Sequence, residues 1–271
     1  MKAVIRTIQT EDFTMDYCRF GQGDRAFVIL PGLSVTSILK SADAIERDYA
    51  EIAEHSTVYV FDRRKDMPPV YKVEDMARDT ARAMEEIGLH EADIFGASQG
   101  GMMAMVIAVE YPHLVHKLVL GSTAARAGEM AEQVGTEWGE LALAEDRVGL
   151  YMAFGDKLFA PETFEKLKAT LAKAAEAVEQ KDLKRFVILL KGTLGFDVLD
   201  QLAQIRCPVL VIGDETDAVL GAQASRDIAA ALKARKSGRT ELLMYDGWGH
   251  AAYDTAPDYK ERILQFLLSE D

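Results

Sequence analysis

The sequence predicts an α/β protein: a mostly parallel sheet with helices on both faces. Three observations lead there. Short apolar, β-branched runs alternate with stretches of helical periodicity. Several of these runs are apolar throughout, as strands covered on both faces are. One long span, residues 127–203, carries only helical pattern before strand character returns. It is too long for a loop inside a compact domain and reads as an inserted helical cap over one edge of the sheet.

In chain order, VIRTIQ (4–9) and TMDYCRF (14–20), joined across Glu11 and Asp12, read as an antiparallel hairpin. The continuous strands FVIL (27–30), VYVF (58–61), DIFGA (93–97) and KLVLG (117–121) follow. Between them, residues 74–87 place Met76, Ala77, Ala81, Met84 and Ile87 on one stripe that stops at Gly88. Residues 98–111 are apolar nearly all round, so they predict a fully packed central helix that Pro112 ends. After the cap come a strand, CPVLVIGD (207–214), a helix over 221–234, a strand, ELLMYD (241–246), and a C-terminal helix over 256–269. The division is a core of residues 1–126 and 204–271 with the cap at 127–203.

Composition narrows the class. With 49% apolar and 28% charged residues over 271 positions, the chain can bury a full core and is not disordered by default. A net charge of −13 repels phosphate backbones and anionic lipid, which speaks against nucleic acid or a membrane as partner. The start, MKAVIRTIQTEDFTMDY, puts charges where a signal peptide carries an uninterrupted apolar stretch. No segment approaches the ~20 apolar residues of a bilayer span. The chain reads as soluble and cytoplasmic. Cys18 and Cys207 have no C-x-x-C spacing, and a reducing compartment makes both of them buried thiols.

The sharpest chemical signal is Gly96-Ala97-Ser98-Gln99-Gly100, a G-x-S-x-G sequence. It directly follows an apolar strand and precedes an apolar helix, the strand–turn–helix in which a nucleophilic serine sits on a strained bend. Both glycines are needed because the bend brings backbones together. A phosphate-cradling loop is disfavoured, since no lysine follows the motif. A serine hydroxyl needs a base. Of the five histidines, His55 and His90 fall near helix ends, and His113 and His116 flank the end of the nucleophile helix as solvated or capping groups. His250 lies in a glycine-rich loop after the last strand, on the strand-end side of Ser98, and is the expected base. The acid that orients it is expected to be Asp217, displaced into the loop after CPVLVIG. Asp214 is the alternative, although its place at the strand end suits turn hydrogen bonds. Asp246 and Asp254 stand too close to His250 in sequence to fold back. Oxyanion donors are expected at Gln99 N–H and, in the Pro-Gly-Leu-Ser turn after FVIL, at Leu33 N–H.

The order Ser98, Asp217, His250, with PGLS early, GASQGG centrally and GWGH late, resembles the α/β-hydrolase superfamily over essentially the whole chain. VFDRR (60–64), GASQGGMMA (96–104) and YDGWGHAAY (245–253) are similar to bacterial carboxylesterase-like serine hydrolases with a helical cap. The resemblance implies an eight-stranded sheet, a cap after the sixth strand, and no cofactor. Many relatives carry His-Gly before the oxyanion residue, and Pro31 replaces that histidine here, so the resemblance does not itself imply what supports the loop. A serine at 98 argues against the dehalogenase and epoxide hydrolase branches, and Gln99 beside it lowers the rank of a peptidase.

The expected reaction is hydrolysis of a small to medium carboxylic ester through an acyl-enzyme on Ser98, with no metal and a small-molecule ester as partner; a homodimer stays open. Met102, Trp138, Tyr151, Met152, Phe154 and Phe159 are expected to line an apolar pocket or else to bury the cap on the sheet. Alternatives are an acyltransferase, lyase or C–C hydrolase of the same architecture, or a non-catalytic receptor for a small ligand.

Overall fold

The structure, a computed structural model, describes residues 2–235 and 238–270. Met1, Lys236, Ser237 and Asp271, which the expected core boundaries include, lie outside the described residues. The chain opens with β1 (Val4–Gln9) and β2 (Thr14–Gly21), an antiparallel hairpin that sets Val4 opposite Arg19 and Gln9 opposite Thr14. β3 (Arg25–Leu30) follows, then two short helices, α1 (Ala42–Asp48) and α2 (Ala50–His55), and β4 (Ser56–Arg64). α3 (Val73–Glu86), β5 (Ala92–Ala97), α4 (Gln99–Glu110) and β6 (Val115–Gly121) complete the first half. α5 (Glu129–Leu143), α6 (Arg147–Leu158), α7 (Pro161–Glu176) and α8 (Gln180–Lys191) then separate β6 from β7 (Val209–Asp214). α9 (Ala222–Lys233), β8 (Thr240–Tyr245), α10 (Ala252–Thr255) and α11 (Tyr259–Leu268) close the chain.

Among the described residues, eight strands form one sheet in the order β1-β2-β4-β3-β5-β6-β7-β8. β2 is antiparallel to both of its neighbours, and every pair from β4 to β8 is parallel. The turns after β3, β4, β5, β7 and β8 therefore all open on one edge of the sheet, where ligands of parallel α/β folds bind. A hydrophobic cluster fills each face of the sheet: α3, α4 and α9 cover one, and α1, α2, α10 and α11 the other. A third cluster joins Trp138, Leu150, Leu183 and Phe186 of the helical segment to Val35 and Val219 of the strand-end loops.

Three local expectations are corrected. The C-terminal helix starts at Tyr259 and not at 256, because Ala256 precedes Pro257 and is extended (φ −74°, ψ 126°), as residues before proline prefer; the short α10 lies before it. β7 begins at Val209 and not at 207, since Pro208 has no N–H for the ladder. Cys18 is buried but Cys207 is half-buried, and both thiols are free; burial pushes the first up to about 11 and the second to about 12. No helix among the described residues is long and apolar enough to cross a membrane.

Candidate active site

Ser98 stands between β5 and α4 with φ 51° and ψ −121°, a backbone state that side-chain-bearing residues rarely adopt. The surrounding bonds hold it there. Its N–H donates to Gly121 O (2.9 Å), and its carbonyl accepts from Gly101 N–H (2.9 Å), Met102 N–H (3.2 Å) and the Thr123 hydroxyl (2.7 Å). The expected close approach is present. A Cβ on Gly96 would lie 2.5 Å from Gly100 O, and one on Gly100 would lie 1.9 Å from Leu30 O. The Ser98 side chain is left half-buried on the strand-end edge.

Two further turns on that edge bring Asp217 and His250 together. His250, 1% exposed, sets Nδ1 at 2.9 and 3.0 Å from the two carboxylate oxygens of Asp217. Burial pushes the Asp217 carboxyl up, but His250 and the Val219 and Leu220 N–H groups (2.8 and 3.0 Å) outweigh it and hold the group at about 2. A carboxylate only accepts, so Nδ1 carries the hydrogen and the neutral ring keeps its lone pair on Nε2. Asp214 is used differently. Its Oδ1 accepts from Thr216 N–H and hydroxyl (2.7 and 2.6 Å), and its Oδ2 accepts from Trp248 N–H (3.0 Å), so it ties the β7 turn to the His250 loop.

The other histidines lie elsewhere. His55 and His90 are exposed, and His113 Nε2 meets Glu85 at 2.9 Å on the surface. His116 departs from the expected solvated or capping role: its Nδ1 is 2.7 Å from the fully buried carboxylate of Asp93.

The Pro31–Ser34 turn lies against the elbow. A Cβ on Gly32 would be 3.1 Å from Ser98 Cβ and 3.8 Å from its Oγ. Among the described residues, neither Leu33 N–H nor Gln99 N–H is bonded to a protein acceptor; the latter is the first amide of α4, one of the donors a helix leaves unpaired. Two arginines that the sequence analysis did not single out hold this region. Arg63, 4% exposed, donates from Nη2 to Pro31 O (2.8 Å) and to Gln99 Oε1 (3.0 Å). Gln99 Nε2 in turn donates to Leu189 O of α8 (2.8 Å). Arg185 of α8 reaches Ser34 O (3.1 Å), Thr36 O (3.5 Å) and Asp62 Oδ1 (2.5 Å).

A small cavity of about 50 Å³ opens beside Ser98. Met102 and Trp138, of the residues expected in a pocket, are among its lining, with Leu33 and Gln99 beside them. Tyr151, Phe154 and Phe159 do not. Phe154 is packed between the rings of Trp138 (centroids 4.4 Å apart) and Phe186 (6.0 Å), so it joins helix to helix. Tyr151 is half-buried and bonds to Thr36, and the backbone at Phe159 lies 3.3 Å from where a Cβ on Gly249 would be. In their place Leu190 of α8, Thr193 and Leu194 just after it, and Val219 and Leu220 after Asp217 contribute to the wall. Glu132 is the one ionisable side chain among the lining residues, and Trp138 Nε1 finds no partner among the described residues. No group of three or more His, Cys, Asp or Glu side chains among the described residues is placed to hold a metal ion.

With this geometry in place, the comparisons are direct. A family model described as the alpha/beta hydrolase fold matches residues 40–257, most of the chain. The chain belongs to the α/β-hydrolase family, and its class is that of a hydrolase. It is 25% identical to 3-oxoadipate enol-lactonase 2 of Acinetobacter baylyi over 79% of each chain. It is 28% identical to homoserine O-acetyltransferase of Thermus thermophilus over 75% of this chain and 60% of that one. Among solved structures, an α/β hydrolase from a Medee basin deep-sea metagenome library superposes with TM-score 0.85 at 20% identity, over 98% of both chains. The enol-lactonase of Burkholderia xenovorans does so with TM-score 0.82 at 18% identity, over 97% of this chain and all of that one.

Proposed function

We propose that the chain is a carboxylesterase-type serine hydrolase that cleaves uncharged esters with a small to medium apolar acyl group. The observation that carries this reading is the buried His250–Asp217 pair, which leaves Nε2 as acceptor on the same sheet edge as the strained Ser98. In this mechanism Nε2 takes the Ser98 proton as Oγ attacks the ester carbonyl. Leu33 N–H and Gln99 N–H donate to the oxyanion. The protonated His250, stabilised by Asp217, gives its proton to the leaving alcohol. Water then repeats the sequence on the acyl-enzyme, releasing the acid and restoring Ser98. Residues 127–203 act as the cap, supplying Trp138 and Leu190 to the cavity wall.

The relatives include a lactonase, whose substrate is a cyclic ester, and an acetyltransferase that takes an amino acid as acceptor. The cavity favours water over such an acceptor, because no cationic side chain among its lining residues would hold an amino acid's carboxylate. A fluorophosphonate probe and a p-nitrophenyl ester panel test the proposal. Wild type is expected to label at Ser98 and to turn over acetate to hexanoate esters, while Ser98→Ala does neither. Equal turnover by wild type and His250→Ala would overturn the mechanism.

A further inference from the structure

Resting on that reading, we infer that Arg63 is a positioning residue of the oxyanion site. Its guanidinium fastens the loop that carries Leu33 N–H to the elbow that carries Gln99 N–H. The loop has little of its own to hold it. Residues 31–36 form no helix or strand, and Pro31 has no N–H to give. Among the described residues, the hydrogen bonds that hold its backbone to the rest of the protein come from Arg63, on Pro31 O, and Arg185, on Ser34 O and Thr36 O. Arg63 alone also reaches the elbow, through Gln99 Oε1, and Gln99 passes the connection on to Leu189 of α8. One nitrogen therefore sets the spacing between the two walls from which the oxyanion donors project.

The chemistry suits an arginine. Its planar fork offers two hydrogens from one nitrogen to two acceptors at a fixed angle, which a lysine does only by giving up that geometry. Burial lowers the group to about 10, so it stays charged at neutral pH and its hydrogen bonds are charge-assisted. The residue is not optimised for packing: Arg63 Nε is buried without a partner among the described residues. Such an orphan donor costs stability, a cost that an apolar residue at this buried position would not carry. Arg63 is also absent from the residues lining the cavity beside Ser98, so it acts through Pro31 and Gln99 and not by touching substrate.

A residue that spaces oxyanion donors affects the transition state and spares ground-state binding. Displacement of reacting groups by about 1 Å costs up to roughly 100-fold in rate. Arg63→Gln is therefore expected to lower kcat on p-nitrophenyl butyrate by about 10- to 100-fold with KM within about twofold of wild type. Affinity for a butyl trifluoromethyl ketone, which forms an oxyanion adduct with serine, should fall by the same factor as kcat/KM. Affinity for butyramide, which forms no such adduct, should not change. Arg63→Lys is expected to retain part of the loss, and Gln99→Leu, which keeps the backbone donor but removes the anchor, to show a smaller version of it. Should Arg63→Gln fail to fold, those two variants decide by the same ratios. Wild-type kcat in a folded Arg63→Gln that still labels at Ser98, or a defect confined to KM, would overturn the inference and leave the serine mechanism standing. No labelling of wild type would remove both.

Discussion

α4 buries ten of its twelve residues beneath the sheet edge, whereas α7, four residues longer, buries only Phe164 and Ala175. The contrast extends to the two sides of the cavity. On the sheet side, the Ser98 turn is fixed by backbone bonds and by steric contacts under 3 Å that only glycine tolerates, and the Asp217 and His250 turns by the hydrogen bonds of Asp214 and Asp217. On the helical side the wall is made mainly of apolar side chains, with Glu132 and Thr193 among them. Such surfaces tolerate volume-conserving exchange, while fixed turns do not. Changes on the sheet side should therefore abolish turnover, and changes on the helical side should redirect it.

The largest effect is expected for Asp217→Asn, which keeps the shape of the pair but lets an amide N–H face His250 Nδ1; kcat should fall roughly 10⁴-fold. A loss under tenfold in steady-state assays would mean that the buried pair does not serve proton transfer. Next is Gly100→Ala. Its Cβ would have to displace Leu30 O from 1.9 Å, so the elbow must open, at about 3–5 kcal/mol in denaturant unfolding. An unchanged midpoint would show the elbow to be compliant.

The acid–base pair also makes a stability prediction. The Asp217 carboxyl titrates near 2 in the folded protein, below its ordinary value near 3.9. Its contribution is complete above about pH 4 and is lost as pH falls through 2, on the order of 2 kcal/mol. Acid unfolding of Asp217→Asn should lack this limb. On the helical side, Trp138→Phe keeps an aromatic ring and deletes a donor that has no partner among the described residues, so its stability should stay within about 1 kcal/mol of wild type. Its acyl-length preference should move toward longer chains by about tenfold or less. A tenfold collapse of kcat on every ester would place Trp138 with the sheet-side machinery. The smallest effect concerns charge. Glu132 should disfavour a half-ester such as p-nitrophenyl glutarate by several-fold, and Glu132→Gln should recover about threefold at low salt.

The same contrast explains what could be read from the chain. The strands and the nucleophile motif are local signals: Ser98 sits where an apolar strand meets an apolar helix, and both halves of that pattern lie within twenty residues. Asp217 and His250 follow strands that end on the same edge, so parallel topology brings their loops to one side of the sheet. The short helices α1 and α2 gave no such signal. Neither has a side-chain cap, and Tyr49 between them leaves helical geometry (φ −106°, ψ 19°). The aromatic residues of α6 could not be assigned from sequence, because an apolar side chain on a bundled helix has several neighbours to choose from. Phe154 chose Trp138 and Phe186. Arg63 was hidden for the opposite reason: a charged residue at a strand end reads as solvated, and only the fold reveals that it points inward to Pro31 and Gln99.

Ala251 N–H, one residue past the imidazole, donates to Leu158 O at 2.8 Å. That carbonyl belongs to the last turn of α6, so the base is moored to the helical segment as well as to the carboxylate behind it. A change that moved Leu158 would therefore be felt beside the base through one backbone bond, while the ring's own contact with Asp217 stayed in place.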